Sequence, residues 1–222
     1  FYIFKINNMT MDKQRFEEIS GLFSQKSILV IGDVMLDKFM WGKADRISPE
    51  APVPIISIDK ISHSPGGAAN VALNLSKLSA NVYLLAVVGD DNESSLLKDD
   101  LEKQGVKIKF IKDAKKSTTT KTRIMAHGQQ VVRTDYENTN DITSEQIKHI
   151  NDMIVACSSE IDAIIIEDYN KGLLVKDCIN TILDIAAKND IPVYVDPKKE
   201  NFFVYNEIRL FKPNMFEFES II

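Results

Sequence analysis

Four apolar runs in this chain each end in a group of polar residues. Ile28–Ile31 leads into Gly32-Asp33-Val34-Met35-Leu36-Asp37, and Ile164–Ile166 into Glu167-Asp168-Tyr169-Asn170-Lys171-Gly172. Val193–Val195 leads into Asp196-Pro197-Lys198, and the last run into Lys212-Pro213-Asn214-Met215-Phe216-Glu217. Apolar runs without polar alternation read as strands covered on both faces. Open α/β sheets bind ligands in the crevice beyond the carboxyl ends of such strands. Carboxylates accept strongly from O–H donors, so Asp33 and Asp37 suit a hydroxyl-rich ligand. Asn214 and Glu217 stand three apart at a helix start and share a face. Carboxylates and an amide beside lysines can arrange magnesium and nucleotide phosphates.

Two further segments add chemistry. Pro65-Gly66-Gly67-Ala68-Ala69-Asn70 puts small residues at an expected helix start, where a ligand can approach backbone N–H groups. Thr118–Tyr136 has a turn signal at His127-Gly128 and reads as a hairpin carrying Lys121, Arg123, Gln129, Gln130 and Arg133. Lys121 and Arg123 are two apart on one strand, so they share a face, and arginine forks match phosphate geometry. No Gly-x-Gly-x-x-Gly follows the first strand and no Gly-x-x-x-x-Gly-Lys-Ser/Thr occurs, which excludes a dinucleotide fold and a P-loop. Trp41 is expected to pack rather than to act. His63, His127 and His149 are scattered, with no triad-like spacing.

The elements that must position these groups follow from the patterning. The chain has 222 residues and a formal net charge of −5, with 44% apolar and 27% charged residues. That is ordinary for one globular core with a small appendage. The longest apolar stretch, Tyr83–Val88, is far too short to span a membrane, and mild acidity argues against a nucleic-acid partner. Cys157 and Cys178 show no metal-like spacing, so a reducing, cytoplasmic setting is expected. Strands are expected at Ser27–Val34, Val82–Val88, Asp162–Glu167, Val193–Asp196 and Ile208–Lys212. Helices are expected at Gly66–Leu78, Asn92–Gln104, Thr143–Cys157, Leu174–Lys188 and from Asn214. This alternation defines an α/β sandwich with a mostly parallel sheet. Residues 1–26 form a tail, over about the first ten, and a leading helix. Two extended segments, about 38–62 and 107–137, have partial period-2 polarity and read as a small inserted β-lid in the domain over 27–222.

These residues resemble the ribokinase or PfkB family of carbohydrate kinases. Pro65–Asn70 is similar to its N-terminal signature, Val88-Gly-Asp-Asp91 with Leu97, Leu101 and Gly105-Val106 to its next βα unit, and Asn214-x-x-Glu217 to its Asn-x-x-Glu motif. Gly32–Asp37, Arg46–Pro54, Gln129-Gln130-x-x-Arg133-x-Asp135, Asp168-Tyr-x-Lys-Gly172 and Asp196–Lys198 resemble the branch acting on heptose 7-phosphate in ADP-heptose and lipopolysaccharide biosynthesis. The resemblance implies a ribokinase-like three-layer fold and ATP-dependent phosphorylation of the sugar's anomeric C1 hydroxyl, with ATP and Mg²⁺ as cofactors. It implies that Asp33, Asp37, Gly66, Gly67 and Asn70 hold sugar hydroxyls, and that Lys121, Arg123 and Arg133 meet the sugar's phosphate. Asp168 belongs with the substrate set at the border of the Mg-ATP side, which Lys171, Asp196, Lys198, Asn214 and Glu217 would line, Glu217 as metal ligand. The lid would also serve as a homodimer interface. The family's Gly-Ala-Gly-Asp anion hole, whose Asp is the base, has no counterpart here. The base and the rest of the fold are therefore expected beyond Ile222, and the 222 residues are expected to bind sugar phosphate without turnover. The alternatives are a different sugar or nucleoside kinase and a non-catalytic, dimerising fragment.

Overall fold

The computed structural model describes residues 12–221, so the tail expected over the first ten residues lies outside them. The leading helix α1, Lys13–Gly21, starts where the Asp12 carboxylate accepts the Arg15 N–H at 2.7 Å. A six-stranded sheet follows, built from β1 (Ser27–Gly32), β4 (Asn81–Gly89), β5 (Lys107–Asp113), β8 (Ala163–Glu167), β9 (Val193–Asp196) and β10 (Leu210–Phe211). Its order is β10-β9-β8-β1-β4-β5, and every pairing is parallel. Helices α2 (Ala68–Lys77), α3 (Asn92–Lys103), α4 (Ser144–Cys157) and α5 (Lys176–Lys188) carry the crossovers. The chain closes with α6, Met215–Glu219.

The core sits between this sheet and its helices. Leu29, Ile31, Leu84, Leu85, Ile164 and Ile166 from three central strands meet Leu97, Leu101, Ile150, Ile154, Ile179 and Ile182 from the helices, all essentially inaccessible. Each such side chain contributes about 1.5–3 kcal/mol by leaving water. A large cleft lined by Leu183, Asp190, Pro192 and Arg209 lies at the amino end of β9, away from the polar strand ends.

A second sheet of four strands, β3-β2-β6-β7, forms the inserted lid. It consists of β2 (Val34–Ile47), β3 (Pro54–Gly67), β6 (Thr119–Ala126) and β7 (Gln129–Tyr136). β2 pairs antiparallel with β3 and parallel with β6, and β6 closes antiparallel on β7. The β6–β7 turn is the expected one: His127 and Gly128 both have positive φ, 50° and 81°, as a type I′ hairpin requires.

Three expectations are corrected. Residues 107–113 are not lid: Lys107–Asp113 is the edge strand β5 of the main sheet, because Ile108, Phe110 and Ile111 join the main core. The lid's first arm is longer than 38–62, since β2 and β3 stay paired from Val34–Gly67 outward. Gly66 and Gly67 end β3, and Gly67 is also the N-cap of α2, so the helix does not start at Gly66. Gly67, at φ 58° and ψ −136°, stands outside helical space, and α2 begins at Ala68.

Candidate functional site

The lid presents an ordered array of charges. In one row across the sheet, Ser64, Asp37, Lys121 and Asp135 are successive register partners. Two residues further along, the row is Ser62, Phe39, Arg123 and Arg133. A two-residue step keeps both rows on one face. The Arg123 guanidinium pairs with Asp37 and lies 5.2 Å from the centre of the Phe39 ring. Lys121 Nζ is 3.3 Å from one Asp135 oxygen, and Arg133 Nε is 2.9 Å from the other. Three cations thus face two carboxylates, leaving one net positive charge. Trp41 stacks on Phe39 and donates to Ser62 Oγ at 3.1 Å, a packing role.

The glycine pair lies at the root of this face. A Cβ at Gly66 would run into the Asp37 carboxylate, so only glycine lets that carboxylate keep its place. In α2, Ala68 and Ala69 are buried while Asn70 is exposed. The structure therefore brings Asp37, Lys121, Arg123 and Arg133 onto one face of the lid with Gly66 and Gly67 at its root. Asn70 is exposed in the first turn of α2 and, among the described residues, makes no hydrogen bond to them.

The carboxyl ends of β8, β9 and β10 gather a second group. Glu167 and Asp196 are register partners at the ends of neighbouring strands. Burial, reinforced by the negative charge of Asp196, pushes the Glu167 carboxyl up to about 7. Lys212 Nζ meets Asp196 at 2.9 Å, and Lys198 pairs with Glu217 while lying 5.4 Å from the Tyr169 ring centre. Asn214 and Glu217 form a reciprocal capping box: the Glu217 N–H donates to Asn214 Oδ1 at 2.8 Å and the Asn214 N–H to Glu217 Oε2 at 2.9 Å. Lys171 bridges toward the lid, its Nζ 2.9 Å from Glu137.

Two expected substrate groups are turned inward. Asp33 is only 5% exposed, and one carboxylate oxygen accepts the N–H groups of Tyr169 and Lys171, each at 3.0 Å. Asp168 is 2% exposed and accepts from Asn201 at 2.9 Å, Tyr205 Oη at 2.8 Å and the Asn170 N–H at 2.9 Å. Both hold the loop after β8 in place.

Burial pushes the Asp33 carboxyl up to about 6, against the two N–H donors that favour its charged form. A carboxyl raised above its ordinary value stabilises the fold below that ordinary value. The contribution is lost as pH climbs through the folded one. Asp33→Asn keeps the acceptor and removes the buried charge. Its melting temperature should match the parent near pH 4 and exceed it at pH 8; an equal difference at both values would show that Asp33 is not titrating in this window.

Sequence reasoning missed Glu167, which ends a strand and so sat in plain view, and gave no role to Asp135. Only the β6–β7 register reveals that Asp135 stands opposite Lys121.

With this geometry in hand, comparisons with known proteins place the chain. A family model described as "pfkB family carbohydrate kinase" matches residues 25–222, and the chain belongs to that family. It is 40% identical over 200 residues to a bifunctional protein HldE of Marinomonas sp. (strain MWYL1), covering 90% of this chain and 42% of that one. It is 41% identical over 198 residues to the HldE protein of Helicobacter pylori (strain J99), covering 89% and 43%. The chain therefore spans about two-fifths of the length of these curated relatives. Among solved structures, a carbohydrate kinase from Agrobacterium tumefaciens superposes with a TM-score of 0.70 at 20% identity, over 88% of this chain and 63% of that one. The tetrameric inhibited form of Escherichia coli phosphofructokinase-2 gives 0.67 at 17%, over 88% and 63%. The fold is ribokinase-like and the domain is that of a sugar kinase.

Proposed function

We propose that the protein phosphorylates the anomeric C1 hydroxyl of a heptose 7-phosphate with ATP, and that these 222 residues supply the grip on the sugar phosphate. The carrying observation is the direct facing of Arg123 and Arg133 across β6 and β7. Like charges directly opposite in a sheet repel. Asp37 and Asp135 offset part of this, and an anion seated between the arginines would neutralise the one positive charge that is left over. Arginine forks and the Lys121 ammonium suit a phosphate monoester, and Asp37 and Asn70 offer an acceptor and an amide to sugar hydroxyls.

The donor set at the strand ends suits a magnesium ion that arrives on a nucleotide. Among the described residues no three His, Cys, Asp or Glu form a metal cage, but Mg²⁺ commonly takes one or two carboxylates and completes its shell with phosphates and water. Glu167 and Asp196, two carboxylates that repel one another, would hold it, with Lys212 giving up Asp196 as the ion enters. Glu217 is already engaged by Lys198 and the Asn214 N–H, which makes it a positioner of Lys198 and of α6. The nucleotide would supply the electrophilic phosphorus. Lys198 and Lys171 would meet its phosphates, and the lid would shut water from the sugar hydroxyl.

The lid's other face carries Ile61, Val132 and Tyr136, exposed at 54%, 42% and 71%, which suits a second copy of the chain. Sedimentation should give a dimer that Val132→Asp weakens.

Calorimetry tests the substrate reading. Heptose 7-phosphate should bind the chain at least tenfold more tightly than the same heptose without phosphate, and Arg133→Ala should erase that difference. Equal affinities in the parent chain would point to a kinase for an unphosphorylated sugar.

A further inference from the structure

Among the described residues, Asp135 is the one carboxylate that holds two members of the proposed phosphate clamp at once. Its two oxygens are divided between Arg133 Nε at 2.9 Å and Lys121 Nζ at 3.3 Å. Its side chain is 26% exposed, so it borders the space a ligand would enter. Asp37, the other acid of the array, is committed to Arg123 and faces the glycine pair. Among the described residues, the ion-pair partners of Asp135 are Lys121 and Arg133. An acid in that position weakens every anion that binds beside it, which calls for a reason.

The second group of residues supplies one. Lys171 pairs with Glu137, the residue that follows β7, so the loop after β8 adjoins the end of the lid. If the strand ends take a nucleotide, two kinds of phosphate compete for the lid cations. A sugar monophosphate carries a charge of about −1.5 to −2 at neutral pH, and a polyphosphate carries more. A clamp built only of cations would favour the polyphosphate, because attraction grows with ligand charge. A fixed carboxylate penalises each anion in proportion to that same charge.

We propose that Asp135 is a specificity-determining residue that keeps polyphosphates off the lid clamp and leaves it to a monophosphate. The inference rests on the phosphate-clamp reading above. One carboxylate charge about 6 Å from the ligand changes affinity by about threefold per unit of ligand charge in a solvated setting. Its removal therefore strengthens a dianion by about tenfold and a polyphosphate by roughly tenfold more than that.

The test titrates the 222-residue chain with methyl phosphate and with tripolyphosphate at low ionic strength, following the lid residues by NMR. Asp135→Asn should tighten both ligands and shift the preference toward tripolyphosphate about tenfold. Asp135→Glu retains the charge and should keep the parental preference. Two results would overturn the proposal: an unchanged preference in Asp135→Asn, or weaker binding of both ligands, which would make Asp135 a holder of Lys121 and Arg133. Arg133→Ala separates this failure from a deeper one. If it leaves methyl phosphate binding at the lid intact, the clamp itself is wrong and the inference falls with it. Should Asp135→Asn fail to fold, Asp135→Ser with a thermal melt at each titration pH carries the same comparison.

Discussion

Gly67→Ala should lose about 3 kcal/mol of stability and nearly all affinity for a sugar. Gly67 has φ 58° and ψ −136°, a region that residues with a Cβ occupy at a cost of about 1–3 kcal/mol. A Cβ there would also lie 2.5 Å from the Asp33 carbonyl oxygen and 2.9 Å from Met35 Cε. The carbonyl cannot retreat freely, since it accepts the Ala68 N–H at 3.0 Å and so fixes the first turn of α2. Either the strand end or the helix start must move, and Asn70 moves with it. Thermal unfolding measures the first loss and calorimetry with heptose 7-phosphate the second. A variant with parental affinity would show that the glycine pair does not shape the sugar site.

Asp37→Ala should weaken the sugar phosphate by about 100-fold, near 3 kcal/mol, as two charge-assisted hydrogen bonds would. The carboxylate has one oxygen on Arg123, and its other oxygen lies against Gly66. Truncation removes the acceptor for sugar hydroxyls and leaves the part-buried Arg123 without its partner. Asp37→Asn should recover part of the affinity by restoring one acceptor. Parental affinity in Asp37→Ala, with an unchanged melting temperature, would remove Asp37 from the site.

Much of this arrangement was legible in the residues. Unbroken apolar runs such as Ile28–Ile31 and Ile164–Ile166 marked parallel strands, because a strand covered on both faces has no polar alternation to show. The polar groups after them fell on one rim because parallel strands all end on the same side. The hairpin followed from His127-Gly128, and the two-residue spacing of Lys121 and Arg123 placed both on one face. What escaped depends on pairing between distant segments. Lys107–Asp113 has a strand pattern that fits either sheet, and only its neighbours in the core decide between them. The residues Gly66 and Gly67 fit a helix start as well as a strand end, and they are at both: Gly67 ends β3 and caps α2. Asp33 and Asp168 have the composition of ligand-binding acids. Their burial under the loop after β8 is a tertiary fact that spacing does not encode, as is the meeting of Asp135 with Lys121.

One junction carries a consequence for how the two halves of the rim respond to each other. Asp33 donates its N–H to the Glu167 carbonyl at 3.2 Å, accepts the Ala68 N–H at 3.0 Å, and anchors the N–H groups of Tyr169 and Lys171 with its side chain. The first residue before the lid is thus also the last support of the segment that bears Lys171. A tilt of the four-stranded sheet strains both sides through this residue, alongside the Lys171–Glu137 pair. Thermodynamic linkage then makes the influence mutual: whatever factor an occupied lid adds to affinity at the strand ends, an occupant of the strand ends returns to the lid.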